Sequence, residues 1–372
     1  MMLASAPPVA GAAAAVALAS ALLTLPVTAQ QVPDTAFRPD VGPPAYADGL
    51  GPRVALDEGH VNFHTLEGRY ATFARLLASD GFRLQPSTGA LTAETLDGVD
   101  VLVIANALDP RNEDDWSLPT PSAFTPDAIG AVRTWVEGGG ALLLIADHMP
   151  FPGAAADLAA AFGFALLNGF ATEGDVGGPI VFRSSDGSLG DHPVTRGSRG
   201  ARTDPAATFG EQIDSVATFT GHAFRVPERA TSLLTFRQGA YSLNPHEAWA
   251  FDENTPRTDV SGWSQGALLE VARGRVAVFG EAAMFSAQLA GPQAFPVGMN
   301  TLIASQNARL FVNLVRWLAA ESEGAPPDRG SGSTRAEAAA TPLAPPRSAD
   351  SPRALRPRRP SGPRERSRWP RW

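Results

Sequence analysis

Acidic and histidine side chains gather directly after the apolar runs of this chain, where a buried strand would deliver them to a sheet edge. Arg53-Val-Ala-Leu-Asp57 runs into Glu58, His60 and His64. Ala141-Leu-Leu-Leu-Ile-Ala146 runs into Asp147 and His148, and Arg275-Val-Ala-Val-Phe-Gly280 into Glu281. Burying such groups is unfavourable unless they are paired, bound to metal or used in chemistry. Asp57, Asp147 and Glu281 are therefore candidate general acids or bases, and Asp147 is placed to orient the imidazole of His148 for proton transfer. Glu58, His60 and His64 are candidate ligand-binding groups. His60 and His64, four residues apart, would join Asp147 in holding a divalent metal if they shared one face of a helical turn. Plainer roles compete with each of these. A carboxylate after a strand also caps the next turn, and one entering a helix is favoured there by the helix dipole alone. Gly59 and Asn62 also suggest a loop around the two histidines, where a spacing of four carries no meaning.

Runs of this length alternating with helix-like segments read as buried parallel strands. The periodicity predicts a helix over 67–80 with Tyr70, Phe73, Leu76 and Leu77 on one face and Gly81 as its C-cap. Short strands follow at 82–85 and, after a helical segment at 92–96, at 100–105. Thr125 followed by Pro126 is a helix start signal, and Gly138-Gly139-Gly140 ends that helix and feeds the strand at 141–146. An Ala-rich helix follows at 154–162. The middle, 168–265, holds short strands (180–183, 216–220, 232–236) among Gly-, Pro- and Asp-rich loops. A hairpin is expected about Arg273-Gly274, and a last helix at 300–320. The fold class is therefore α/β: a doubly wound, mostly parallel sheet with a loop-rich β insertion. In such sheets ligands bind at the carboxyl ends of the strands, so Asp57, His60, Asp147, His148 and Glu281 are expected to converge in one crevice.

Residues 1–29 are apolar and uncharged and end in Val27-Thr-Ala29, which reads as a secretory signal peptide cleaved before Gln30, or as an uncleaved N-terminal anchor. Residues 30–52 read as an N-terminal arm, 53–322 as one α/β domain, and 323–372 as a basic tail rich in Pro and Arg, too poor in apolar residues to fold. Between 329 and 372 lie eleven arginines against three acidic residues, leaving 19 basic and 35 acidic residues elsewhere. Such a tail suits contact with an anionic envelope surface, whereas the acidic body argues against nucleic acid as a partner. The chain has no cysteine, so disulfides, thiolate metal sites and thiol nucleophiles are excluded. Export without cysteine points to a bacterial periplasm or to secretion. Gly-x-Gly-x-x-Gly, Walker and Gly-x-Ser-x-Gly signatures are also missing, which argues against the nucleotide-binding and α/β-hydrolase designs built on them.

The order of these pieces resembles the class I glutamine amidotransferase-like superfamily, whose fold is flavodoxin-like, and within it an uncharacterised bacterial family related to trehalose-utilisation and gliding-motility proteins. The resemblance is carried by Asp57-Glu-Gly-His60-Val-Asn-Phe-His64 and Gly138-Gly-Gly-Ala-Leu-Leu-Leu-Ile-Ala-Asp-His148. His192-Pro-Val-Thr-Arg-Gly197, Gly274 to Glu281 and Asn307 to Leu318 add to it. The resemblance implies a reactive elbow at Ala146-Asp147-His148, where true amidotransferases present a cysteine. With no thiol here, the covalent thioester step cannot occur and glutaminase activity is excluded. The expected function is binding of a polar small molecule or glycan at the strand edge, with Trp116, Tyr241, Trp249 and Trp263 as candidate stacking faces. The alternatives are a metal-assisted or acid/base hydrolase using the same cluster, and an envelope scaffold.

Overall fold

The computed structural model describes residues 31–174, 176–197 and 210–320, so the expected leader (1–29) and basic tail (323–372) lie outside the described residues. The central sheet has nine strands. They are β1 (Arg53–Asp57), β2 (Arg83–Ser87), β3 (Val101–Ala105), β4 (Ala141–Ile145), β5 (Ala165–Leu166), β6 (Phe224–Arg225), β7 (Thr231–Thr235), β8 (Ser264–Val271) and β9 (Gly274–Phe279). Their order is β2-β1-β3-β4-β9-β8-β6-β5, with β7 also pairing with β8. The run β2-β1-β3-β4-β9 is parallel throughout, and its order is that of flavodoxin-like sheets. Beyond β9 the pairing is antiparallel, so the parallel half carries an antiparallel extension.

The inner parallel strands β1, β3, β4 and β9 are buried on both faces, while β2 is an exposed edge, and alternation divides the inner side chains between two cores. Val54, Leu56, Val103, Leu143 and Ile145 pack with Tyr70, Phe73 and Leu77 about helix α1 (Ala71–Ser79) and with Phe311 and Leu314 of α4 (Asn307–Ala319). Ala55, Leu102, Ile104, Leu142 and Leu144 face Val132 and Val136 of α2 (Pro126–Glu137) and Leu158 of α3 (Phe151–Ala160). Each fully buried aliphatic side chain contributes about 1.5–3 kcal/mol of transfer free energy. The apolar runs therefore fix the strands without help from turn chemistry.

Local signals account for most boundaries. Thr125 caps α2 by accepting from the Ala128 amide at 3.2 Å, and Gly81, at φ +89°, closes the turn after α1. The segment 92–96 forms isolated turns and no helix. The Thr95 hydroxyl, directed to the Ala90 and Thr92 carbonyls, competes there with helical bonding. The hairpin turn is Ala272-Arg273, with Gly274 already paired to Val271. A side chain at Gly274 would meet the Val136 carbonyl oxygen at 2.0 Å, so that glycine serves close packing against α2 and not the turn.

The N-terminal arm is built into the fold. Gln31–Pro33 pairs antiparallel with Ala287–Ala290, which pairs in turn with Phe295–Gly298. Further along the arm, Arg316 of α4 donates to the Asp80 carboxylate and to the Pro43 carbonyl, while Asp80 also accepts from the Ala45 amide. That buried ion pair ties the arm to the ends of α1 and α4.

Candidate functional site

At the end of β1, Asp57 is fully buried and its carboxylate is enclosed by local donors. His60 Nδ1 lies 2.9 and 3.0 Å from its two oxygens, Asn62 Nδ2 donates at 2.9 Å and the Gly59 amide at 3.3 Å. The His60 amide donates to Asn62 Oδ1 at 2.9 Å, and its ring packs on Phe124. Glu58 accepts from the Leu66 amide at 2.8 Å. These are the contacts of a self-contained loop.

A different arrangement stands where β3 and β4 end. Asn106, at φ +49°, receives the Asp147 amide on Oδ1 (2.8 Å), sets Nδ2 3.3 Å from His64 Nδ1 and accepts from the Phe63 amide. It therefore links the β1 loop to the β4 loop. Asp147 Oδ1 accepts from the His148 amide at 2.8 Å and from the Thr220 hydroxyl at 3.0 Å; among the described residues no donor reaches Oδ2. His148 Nδ1 lies 2.6 Å from the Met149 carbonyl, an acceptor, so Nδ1 carries the proton and Nε2 is the basic nitrogen of the neutral ring. The ring stacks on Phe170 at 4.6 Å and meets Trp249 edge-on at 4.6 Å.

Asp147 and His148 open onto a cavity of about 590 Å³. One side is formed by Phe63, His64, Arg69, Asn106 and Thr220, with Trp249 and Phe151 beside them. The other is the three-stranded wall containing the N-terminal arm. Its register places Gln31 opposite Ala290 and Ala290 opposite Phe295, and likewise Pro33, Gln288 and Val297 in line. Side chains directly opposite share a face and alternate along a strand. Gln31, Gln288, Ala290, Phe295 and Val297 all line the cavity, so this face of the wall looks into it. Trp249, at φ +69°, and Asn106 are both held in left-handed backbone beside the cavity. Strain of this kind in non-glycine residues concentrates at binding sites.

The electrostatics centre on Asp147. The Arg69 guanidinium sits 4.0 Å above the Phe63 ring; burial lowers its pKa to about 10, and the Asp147 charge opposes that fall. Burial, then Arg69, holds the His64 imidazole well below its ordinary range, and burial lowers His148 against the pull of Asp147 and the Met149 carbonyl. Glu281 is fully buried and accepts from the Ala283 and Met284 amides at 2.9 and 2.7 Å. Burial, then the Asp147 charge, drives its carboxyl well above the usual range. His222 lies beneath, Nδ1 donating to the Ala146 and Asp147 carbonyls, and burial lowers its pKa to about 4. Gly280 makes room for it: a Cβ there would stand 2.4 Å from the His222 carbonyl oxygen.

Of the five groups expected to converge, Asp147 and His148 line the cavity. Glu281 lies inside the protein and caps the turn at Ala283–Phe285, while Asp57 and His60 bind each other away from the cavity. Glu58 is likewise engaged in its own loop, and His64 does line the cavity. The metal set of His60, His64 and Asp147 is not assembled. His60 Nδ1 is turned to Asp57 and His64 Nδ1 to Asn106, and no group of three or more such donors is arranged to hold a metal among the described residues. His192 caps the one-turn helix Pro193–Arg196 through Nδ1. Of the aromatic candidates, Trp249 reaches the cavity, whereas Trp263 and Tyr241 carry the Arg225 and Arg257 guanidinium groups. Sequence reasoning missed Arg69, Asn106, Thr220, His222 and Gln288. Asn106 alone had a signal, since it directly follows a buried strand.

No family model and no curated protein matches the chain. Among solved structures it is similar to the mmIFT52 N-terminal domain, at 14% identity over 72% of this chain and 97% of that one, TM-score 0.47. It is also similar to a ThuA-like protein from Bacteroides uniformis, at 15% identity over 73% and 93% of the two chains, TM-score 0.42. A third similarity is to a cytoplasmic protein from Salmonella typhimurium, at 12% identity over 72% and 99%, TM-score 0.39.

Proposed function

We propose that this protein is a cysteine-free relative of the glutamine amidotransferase-like superfamily, exported by means of residues 1–29, that binds a small uncharged carbohydrate in the cavity at the carboxyl edge of its parallel sheet. The observation that carries the reading is the pairing of an acceptor oxygen, Asp147 Oδ2, with aromatic surface from Trp249 and Phe63 in a cavity of about 590 Å³. Apolar walls with few convergent polar groups are the general form of a small-molecule site, and sugar rings present both apolar faces and hydroxyl donors. Binding is favoured over hydrolysis because Asp57 and Glu281, the other carboxylates a hydrolase would use, are consumed by His60, Asn62 and backbone amides.

Calorimetric titration of the folded protein with maltose, cellobiose and trehalose tests the reading. Millimolar or tighter binding of at least one sugar, weakened about tenfold or more by Trp249→Ala, is expected. Absence of heat with all three, together with unchanged tryptophan fluorescence, would overturn it.

A further inference from the structure

We infer that the wall of the cavity carries a second ring-binding subsite, a slot between Gln31 and Phe295, so that the ligand is a saccharide of at least two rings. The inference rests on the carbohydrate reading above. The register of the wall sets Gln31, Ala290 and Phe295 side by side on three neighbouring strands, and all three line the cavity. Adjacent strands lie about 4.7–4.9 Å apart, so the two outer side chains stand roughly 10 Å from each other with the Ala290 methyl between them. Side chains rise nearly perpendicular to a sheet. A long, a short and a long side chain across the three strands therefore form a slot with an apolar floor, wide enough for a sugar ring.

Each part of the slot can be reached. Phe295 is 62% exposed and is the one exposed aromatic side chain among the described residues. Gln31 and Ala290 are half-buried. Among the described residues no hydrogen bond engages the Gln31 side-chain amide, which can both donate and accept. A lone apolar side chain on an open surface needs no explanation. This one stands on a cavity lining, across a slot from an uncommitted amide, and a sugar ring offers an apolar face to the one and hydroxyls to the other.

The slot and the Asp147 oxygen are separate places. Asp147 and His148 are 8% and 6% exposed, at the floor of the cavity, whereas Phe295 stands at its rim. One ring held by Asp147 Oδ2 beside Trp249 leaves the slot for the next ring of the same chain. A monosaccharide fills one place, and a longer saccharide fills both.

The test compares wild type, Phe295→Ala, Phe295→Leu and Phe295→Tyr in calorimetric titrations with glucose, maltose, cellobiose and trehalose. Substitution of so exposed a side chain should leave the thermal midpoint unchanged, which denaturation checks first. Wild type should bind at least one disaccharide more tightly than glucose. Affinity for that disaccharide should fall about fivefold in Phe295→Ala and Phe295→Leu and be retained in Phe295→Tyr, which keeps the aromatic face. Glucose, held at Asp147, should bind all four proteins alike; where it gives no heat with wild type, the contrast of tyrosine with leucine decides. Unchanged disaccharide affinity in Phe295→Ala, an equal loss in Phe295→Tyr, or a matching loss for glucose overturns the inference and leaves the carbohydrate reading standing. Failure of wild type to bind any of the three disaccharides removes both.

Discussion

Asp57 ends β1 and Asp147 follows β4, strands that flank β3, and both sit at the same edge of one sheet. At Asp57 both oxygens are occupied by His60 and Asn62 from within the next five residues, so the carboxylate organises its own loop. At Asp147 the donors to Oδ1 are the adjacent His148 amide and Thr220, 73 residues away, and Oδ2 is left over. The contrast shows that position at a strand end does not by itself make a functional group. What distinguishes the two is whether the local chain supplies enough donors to exhaust the carboxylate.

The comparison can be broken most directly at Asp57. Asp57→Ala should cost about 3 kcal/mol by stranding its half-buried partners His60 and Asn62, read as a shift in the urea midpoint, with sugar affinity unchanged. A stable variant that had lost binding would place Asp57 in the site and end the contrast.

Acid titration is expected to act at several buried imidazoles, among them His64, His148, His192 and, beneath the Asp147 loop, His222. His222, with its folded pKa lowered to about 4, must stay neutral in the fold, whereas the unfolded chain takes up a proton below about 6.5. Its contribution is complete above the unfolded value and is lost as pH falls from about 6.5 to 4, by about 3 kcal/mol. His222→Asn should flatten that part of the stability curve in thermal denaturation. Glu281 acts with the opposite sign: its raised pKa makes it stabilising at low pH, an advantage lost as pH rises from the ordinary carboxyl range toward its folded value.

Asp147→Asn sharpens the contrast further. Asparagine can keep Oδ1 as the acceptor for His148 and Thr220, and removing the charge relieves part of the upward push on Glu281. Stability at neutral pH should hold or rise, within about 1 kcal/mol, while sugar affinity falls about tenfold. Loss of stability with full affinity would make Asp147 another Asp57. The smallest effect is expected for Thr220→Val, which removes one donor and should cost about 1 kcal/mol or less, with an affinity loss of a few-fold by calorimetry.

Much of the fold was legible because the inner parallel strands are buried on both faces and read as apolar runs; Leu142 to Ile145 needed no context. Their carboxyl ends located the candidate site for the same reason. Its composition was less legible. Asp57 is satisfied by the geometry of its own loop, which no periodicity sets, whereas Asp147 draws on Thr220 in the insertion, where short strands carry little periodicity. Arg69 sat inside a predicted helix, and its place over Phe63 is a tertiary fact. Gln288 belongs to a four-residue strand, Ala287–Ala290, that has meaning only once the arm pairs with it. The expected helix at 92–96 failed because threonine hydroxyls redirected its backbone bonds.

The wall that pairs Gln31 with Ala290 has a consequence for the order in which the protein matures. A ribosome releases the arm first and its partner strand only after most of the domain has emerged, so the two wait for each other across nearly the whole chain. Contacts this distant in sequence carry a loop-closure cost and form slowly. A nascent chain halted before Ala287 would already contain all nine strands of the central sheet, yet would lack two of the three strands of the wall. Sugar binding would then report that synthesis has been completed, which measurements of secondary structure alone would miss.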